Sequence, residues 1–149
     1  MVMSKFKIFL FMVIASLMPL EGIAETSTNP ARIPAIKLIT TPDNHSAYLK
    51  GSIPALGKIP SQNFWINNSV EEWEKNTHPA PRKQYVITLK GKLKFKVSDG
   101  STFILSPGTV LLAEDTNGEG HSWELIDGDE WVRVYIPMTD NNDYFVADK

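Results

Sequence analysis

An all-β domain of short antiparallel strands is what the sequence predicts. From Lys83 onward the segments KQYVITLKG, KLKFKVSDG, STFILSPG, TVLLAED, HSWELIDG and EWVRVYIPM follow one another with Gly, Asp or Pro between them, the spacing of a barrel or a sandwich. LKFKV and WVRVY alternate, so each is expected to have one dry face. YVITL and VLLA are apolar throughout, which suits a wall with side chains inside it and more protein packed outside.

The elements before Lys83 are read in order. Lys5 and Lys7 precede a nearly unbroken apolar run from Ile8 to Leu20, with Gly22 and Ala24 at the positions a signal peptidase reads. Residues 1–24 are therefore expected to form a signal helix cleaved after Ala24, because the run falls short of the ~20 apolar residues of a spanning helix. The mature chain is then secreted or periplasmic and has no membrane partner. Residues 25–35 read as a flexible leader, polar and without period. Ordered structure is expected near Ile36, as a strand, a turn at Pro42–Asn44 and a second strand. Pro54, Gly57 and Pro60 mark a loop, and Ser69 with Glu72 reads as a capping box for one or two helical turns before Pro79. A single domain over residues 36–138 and a polar tail, 139–149, complete the chain, with Tyr144, Phe145 and Val146 as a packing patch in the tail.

Composition excludes several classes of function. The chain has 149 residues and no cysteine, so disulfides, a lipid anchor on cysteine, thiolate ligands and a cysteine nucleophile are all absent. Its 15 basic and 17 acidic residues give a net charge of −2, and nucleic acid is not an expected partner. Lys83, Lys90, Lys92, Lys94 and Lys96 are interleaved with apolar residues and read as the wet face of a sheet. No phosphate loop, nucleophile elbow or paired-histidine helix is found.

Two blocks carry the strongest signal. HPAPRKQYVITLKG brings His78, Gln84 and Gly91 into one segment, and LSPGTVLLAEDTNGEGH brings Pro107 and Gly108 to a strand start and ends on His121. Together they resemble the paired motifs of the cupin superfamily, over about residues 36–138. In that pattern His78 matches the first histidine, Gln84 stands at the glutamate position, Gly91 is the closing glycine and His121 is the third histidine. Ala80 occupies the second histidine position, and the loop from Glu114 to Gly120 is about two residues longer than usual.

The resemblance implies a single jelly-roll β-barrel with a small molecule in its mouth. It also implies a divalent metal ion (Fe, Mn, Zn, Ni or Cu) at His78, Gln84 and His121, and a homodimer through the N-terminal strands. Two histidines are good donors, but an amide oxygen is a poor transition-metal ligand, so the set has lost charge relative to the pattern. Glu114 or Asp115 would restore an acidic ligand if the loop folded inward, although Asp115 and Asn117 equally suit a tight turn with Gly118. Arg82, Gln84, Glu114, Asp115 and Trp123 are the candidate ligand contacts. Gln84 equally suits hydrogen bonding inside a core, Arg82 a solvated charge, and Trp123 and Trp131 the core itself. Trp65 and Trp73 are expected to cover one barrel end, and His45, outside the motifs, to lie exposed in its turn. Two functions stay open at this point: a metal-dependent isomerase or oxygenase, and a non-catalytic binding or structural barrel whose metal site has decayed.

Overall fold

The computed structural model describes residues 31–55 and 57–149. The signal segment, 1–24, and the leader up to residue 30 lie outside the described residues. The elements are β1 (Arg32–Thr40), β2 (Ser46–Pro54), β3 (Trp65–Asn67), a 3-10 turn (Glu72–Lys75), β4 (Gln84–Val97), β5 (Thr102–Leu105), β6 (Val110–Ala113), β7 (His121–Pro137) and β8 (Val146–Ala147). The mostly-β composition of the domain agrees with the sequence reading. β1 starts at Arg32, inside the span read as leader, because Arg32 pairs with Pro54 in register and donates to the Ser52 hydroxyl and carbonyl.

The closed antiparallel barrel is corrected. Strand order is β3-β7-β4-β6-β1-β2-β8, with β5 on β4, and among the described residues no ladder joins β3 to β8. The sheet is open, since its end strands are three and two residues long and offer too little backbone for a closing ladder. One pairing, β1 with β6 from Ala35↔Val110 to Leu38↔Ala113, is parallel. Among the described residues no helix is long and apolar enough to cross a membrane.

Segments expected as separate strands run together. β4 joins QYVITL to KLKFKV, and β7 joins HSWELI to EWVRVYIP, the two pairing over most of their lengths. Gln84, Val86 and Thr88 are buried, and then Leu93, Phe95 and Val97. The parity of buried positions changes between Thr88 and Leu93, where the register with β7 is irregular. An extra residue in a strand re-aims every side chain after it, so this bulge lets both halves of β4 bury their apolar sets. Gly91 makes it possible. Its φ is +95°, and an added Cβ would lie 2.7 Å from the Glu130 carbonyl oxygen.

The sheet is covered on both sides, as the unbroken apolar runs predict. One face holds the main core, including Leu38, Val86, Phe95, Phe103, Leu111 and Trp131. The other holds Ala35, Ile53, Tyr85, Val110 and Leu112, with Phe145 of the tail packed against them. The tail patch is thus split: Phe145 packs, while Val146 in β8 is exposed. The lysines at 90, 92, 94 and 96 are all exposed, with Lys90 paired to Asp129 and Glu130.

The short helical element forms two residues later than the capping box at Ser69 implied. Glu71 is its N-cap, and the Glu74 carboxylate accepts the Glu71 backbone N–H at 2.8 Å. Glu74 is drawn inward by a buried arginine, and that interaction fixes where the turn starts.

Candidate functional site

A cavity of about 240 Å³ opens between the main-core face and the chain from Trp65 to Arg82. Its floor is Val86 and Phe95 of β4, Leu111 and Ala113 of β6, and Trp131 of β7, so core packing and cavity wall are one surface. Polar groups reach it from several places: Asn67 of β3, Glu71 and Glu74 at the 3-10 turn, His78 and Arg82 before β4, Gln84 at its start, and His121 and Tyr135 of β7.

His78 and His121 are brought together by the backbone. Each donates its N–H to the other's carbonyl at 2.9 Å, an isolated antiparallel bridge. Their ring centroids are 5.0 Å apart. Gly120 permits this approach: its φ is +82°, and a Cβ there would sit 2.1 Å from the His78 carbonyl carbon. Gly120→Ala is therefore expected to cost about 2–3 kcal/mol of stability, through left-handed strain and backbone displacement. Chemical denaturation would measure it.

Each imidazole is held through Nδ1. The His78 Nδ1 lies 2.7 Å from the Asn76 carbonyl oxygen, which only accepts, so Nδ1 carries the hydrogen. The His121 Nδ1 lies 2.7 Å from Asp115 Oδ2, which also accepts from the Ser46 hydroxyl at 2.7 Å. Nε2 of both rings has no hydrogen-bond partner among the described residues. Trp73 meets the His78 ring edge-on, 4.8 Å between centroids. Burial, with the neighbouring His121, holds His78 below its ordinary value of 6.5 against the opposing pull of the Asn76 carbonyl.

That depression has a thermodynamic sign. The unfolded chain binds a proton at His78 more readily, so the stability contributed above pH 6.5 is lost as pH falls toward the folded value. Melting temperature should drop on acidification below pH 6.5, and the drop should be smaller in His78→Gln, which cannot titrate.

A buried ionic network supports the turn that borders the cavity. Arg133, fully buried, donates through Nη2 to Glu74 Oε1 at 2.9 Å and to the Ser69 carbonyl at 3.0 Å, through Nη1 to the Trp131 carbonyl at 3.1 Å, and through Nε to the Tyr135 hydroxyl at 2.7 Å. Tyr135 in turn donates to Glu74 at 3.1 Å. Burial, with Arg133 opposing, pushes the Tyr135 phenol up to about 12, so it remains a donor at physiological pH.

The sequence-predicted residues divide clearly. His78, Arg82, Gln84, His121 and Trp123 all line the cavity. Asp115 does not: it is completely buried behind His121, which it orients. Glu114 does not either, since it points to the opposite side with Lys37 at 3.5 Å and Lys83 at 3.5 Å, while burial and Asp143 raise its pKa. Successive residues of an extended chain face opposite ways, so the loop could not have turned both acids inward. Trp65 and Trp73 border the cavity and stay substantially exposed, and Trp131 is core. His45 is half-buried, 3.1 Å from Glu119, where an exposed turn residue was expected. Glu74, Arg133 and Tyr135 were missed. The alternation of WVRVY puts Arg133 on the face of Trp131 and Tyr135, and that was the available signal.

Gln84 is 4 % exposed and its Oε1 has no hydrogen-bond partner among the described residues. An unmet buried acceptor costs about 1–3 kcal/mol. Among the described residues no group of three His, Cys, Asp or Glu side chains could hold a metal ion. The imidazoles of His78 and His121 and the amide of Gln84 face the cavity together with the carboxylates of Glu71 and Glu74, the latter committed to Arg133. Fold and site define an all-β domain with an aromatic, histidine-bearing cavity on one face of an open sheet. No protein-family model, no curated protein and no solved structure matches the chain.

Proposed function

We propose that this chain is an exported small-molecule-binding domain that takes its ligand in the cavity, with His78, Gln84 and His121 as the polar contacts. One observation supports it above the others. Two imidazoles anchored through Nδ1 share an aromatic cavity with an amide whose oxygen lacks a partner. Such a cavity, mostly apolar with a few convergent polar groups, is the usual form of a ligand site. The motif resemblance to cupins supports the same reading, and the apolar segment before Ala24 supports export. A homodimer through the N-terminal strands belongs to this reading, and sedimentation equilibrium tests it.

A non-catalytic role is favoured over metal-dependent isomerase or oxygenase chemistry by Ala80. It is 3 % exposed in the cavity wall, at the place where the cupin pattern has a histidine. A divalent ion would rest on His78 and His121, whose anchored Nδ1 atoms suit ligation through Nε2, with only the Gln84 oxygen added. With Glu74 committed to Arg133 and no carboxylate grouped with the two imidazoles among the described residues, weak occupancy is expected. Purified mature protein reconstituted with Fe, Mn, Zn, Ni or Cu should retain substoichiometric metal after desalting, and His121→Ala should lower that further. Stoichiometric, desalting-resistant metal would favour the metalloenzyme. Saturable quenching of cavity tryptophan fluorescence by a small-ring ligand tests the binding reading, and complete inertness toward both rings and divalent ions would sink it.

A further inference from the structure

We infer that the cavity selects a neutral six-membered ring carrying adjacent hydroxyl groups, which donate to Nε2 of His78 and Nε2 of His121 while the ring lies against indole. The inference rests on the binding reading above and adds the ligand's chemistry to it. The starting point is hydrogen-bond polarity. The Asn76 carbonyl and the Asp115 carboxylate are both acceptors, so each holds the hydrogen of its histidine on Nδ1. When an imidazole carries a single hydrogen and that hydrogen sits on Nδ1, Nε2 is a lone-pair acceptor. The two Nε2 atoms are thus acceptors without a donor among the described residues, and a molecule bearing O–H or N–H groups satisfies both.

Charge and size narrow the class. Glu74 is neutralised by Arg133, and at the rim Arg82, stacked at 5.2 Å over Trp65, offsets Glu71. The lining thus has no net charge to attract an ion. The guanidiniums of Arg82 and Arg133 already occupy faces of Trp65 and Trp131, which disfavours an organic cation there. At about 240 Å³ the cavity is smaller than the ~300–1,000 Å³ of clefts for drug-sized ligands, so it fits one ring. The two rings, with centroids 5.0 Å apart, are close enough for hydroxyls on neighbouring ring atoms of one ligand to reach both. Neighbouring hydroxyls occur on saturated sugar-like rings and on aromatic diols. The two share the chemistry read here, and the experiment separates them.

The test uses metal-free, chelator-treated full mature protein, with myo-inositol and catechol as the two diol probes and 1,2-dimethoxybenzene as a ring of similar shape without donors. Tryptophan fluorescence and calorimetry read binding. At least one diol should bind saturably and at least tenfold more tightly than the dimethoxy ring, and which diol binds tells the saturated from the aromatic source. His121→Phe, which keeps a ring and removes the acceptor, should erase that preference. The wild-type comparison stands even if the variant does not fold. Equal affinity for catechol and its dimethyl ether would overturn the donor requirement and leave the binding reading intact. If no ring binds, the diol inference falls, and the binding reading falls with it when divalent ions also fail to bind.

Discussion

Replacing Arg133 by methionine is expected to destabilise the domain by about 3–5 kcal/mol, because it strands the Glu74 carboxylate in a site that is almost dry. Arg133 supplies four donations to Glu74, Ser69, Trp131 and Tyr135. Its loss leaves two backbone carbonyls short of a donor and removes the stacking at 4.3 Å on Trp131. The double variant Glu74→Leu/Arg133→Met removes both charges at once, and replacing a buried pair by apolar groups is often nearly neutral. It should therefore recover much of the lost stability. Urea unfolding of the wild type, both single variants and the double variant gives the coupling energy directly. Simple additivity would show that the pair is not energetically joined.

Phe95→Ala is expected to cost about 3–5 kcal/mol by the same measurement, a large core truncation with a cavity left behind. Phe95 is 1 % exposed, stacks on Phe103 with centroids 5.0 Å apart and meets Trp131 edge-on at 6.0 Å. It also lies 5.6 Å from the His121 ring and lines the cavity. The truncation should thus enlarge the ligand space as well as weaken the core. Binding of a bulkier ring should improve in the variant relative to a small one, whereas an unchanged size preference would mean that Phe95 does not bound the ligand.

Much of the strand pattern could be read directly. Period-two burial in LKFKV and two-sided burial in YVIT and VLLA follow from the residues alone, because a pleated strand must send alternate side chains to opposite faces, while Leu89 at the end of YVITL is exposed. His78 and His121 were also legible as cavity residues, since their motif blocks marked them. Closure of the sheet was not legible. It depends on whether end strands find partners, and a three-residue segment such as WIN carries no periodicity. The parallel β1–β6 ladder was equally hidden, because strand partnership between distant segments leaves no local mark. Glu74 was invisible for a related reason: a charge is normally read as solvated, and only the arginine 59 residues later makes its burial tolerable.

The reciprocal main-chain bridge between residues 78 and 121 separates architecture from chemistry. Peptide groups fix how closely those two positions lie, while Asp115 behind His121 and the Asn76 carbonyl behind His78 fix how each ring is turned. A ligand entering meets a template already set, and so forfeits little freedom on the protein's side when it docks. The same rigidity keeps the two positions at a set spacing, and an exchange of His121 must also provide a partner for the buried Asp115.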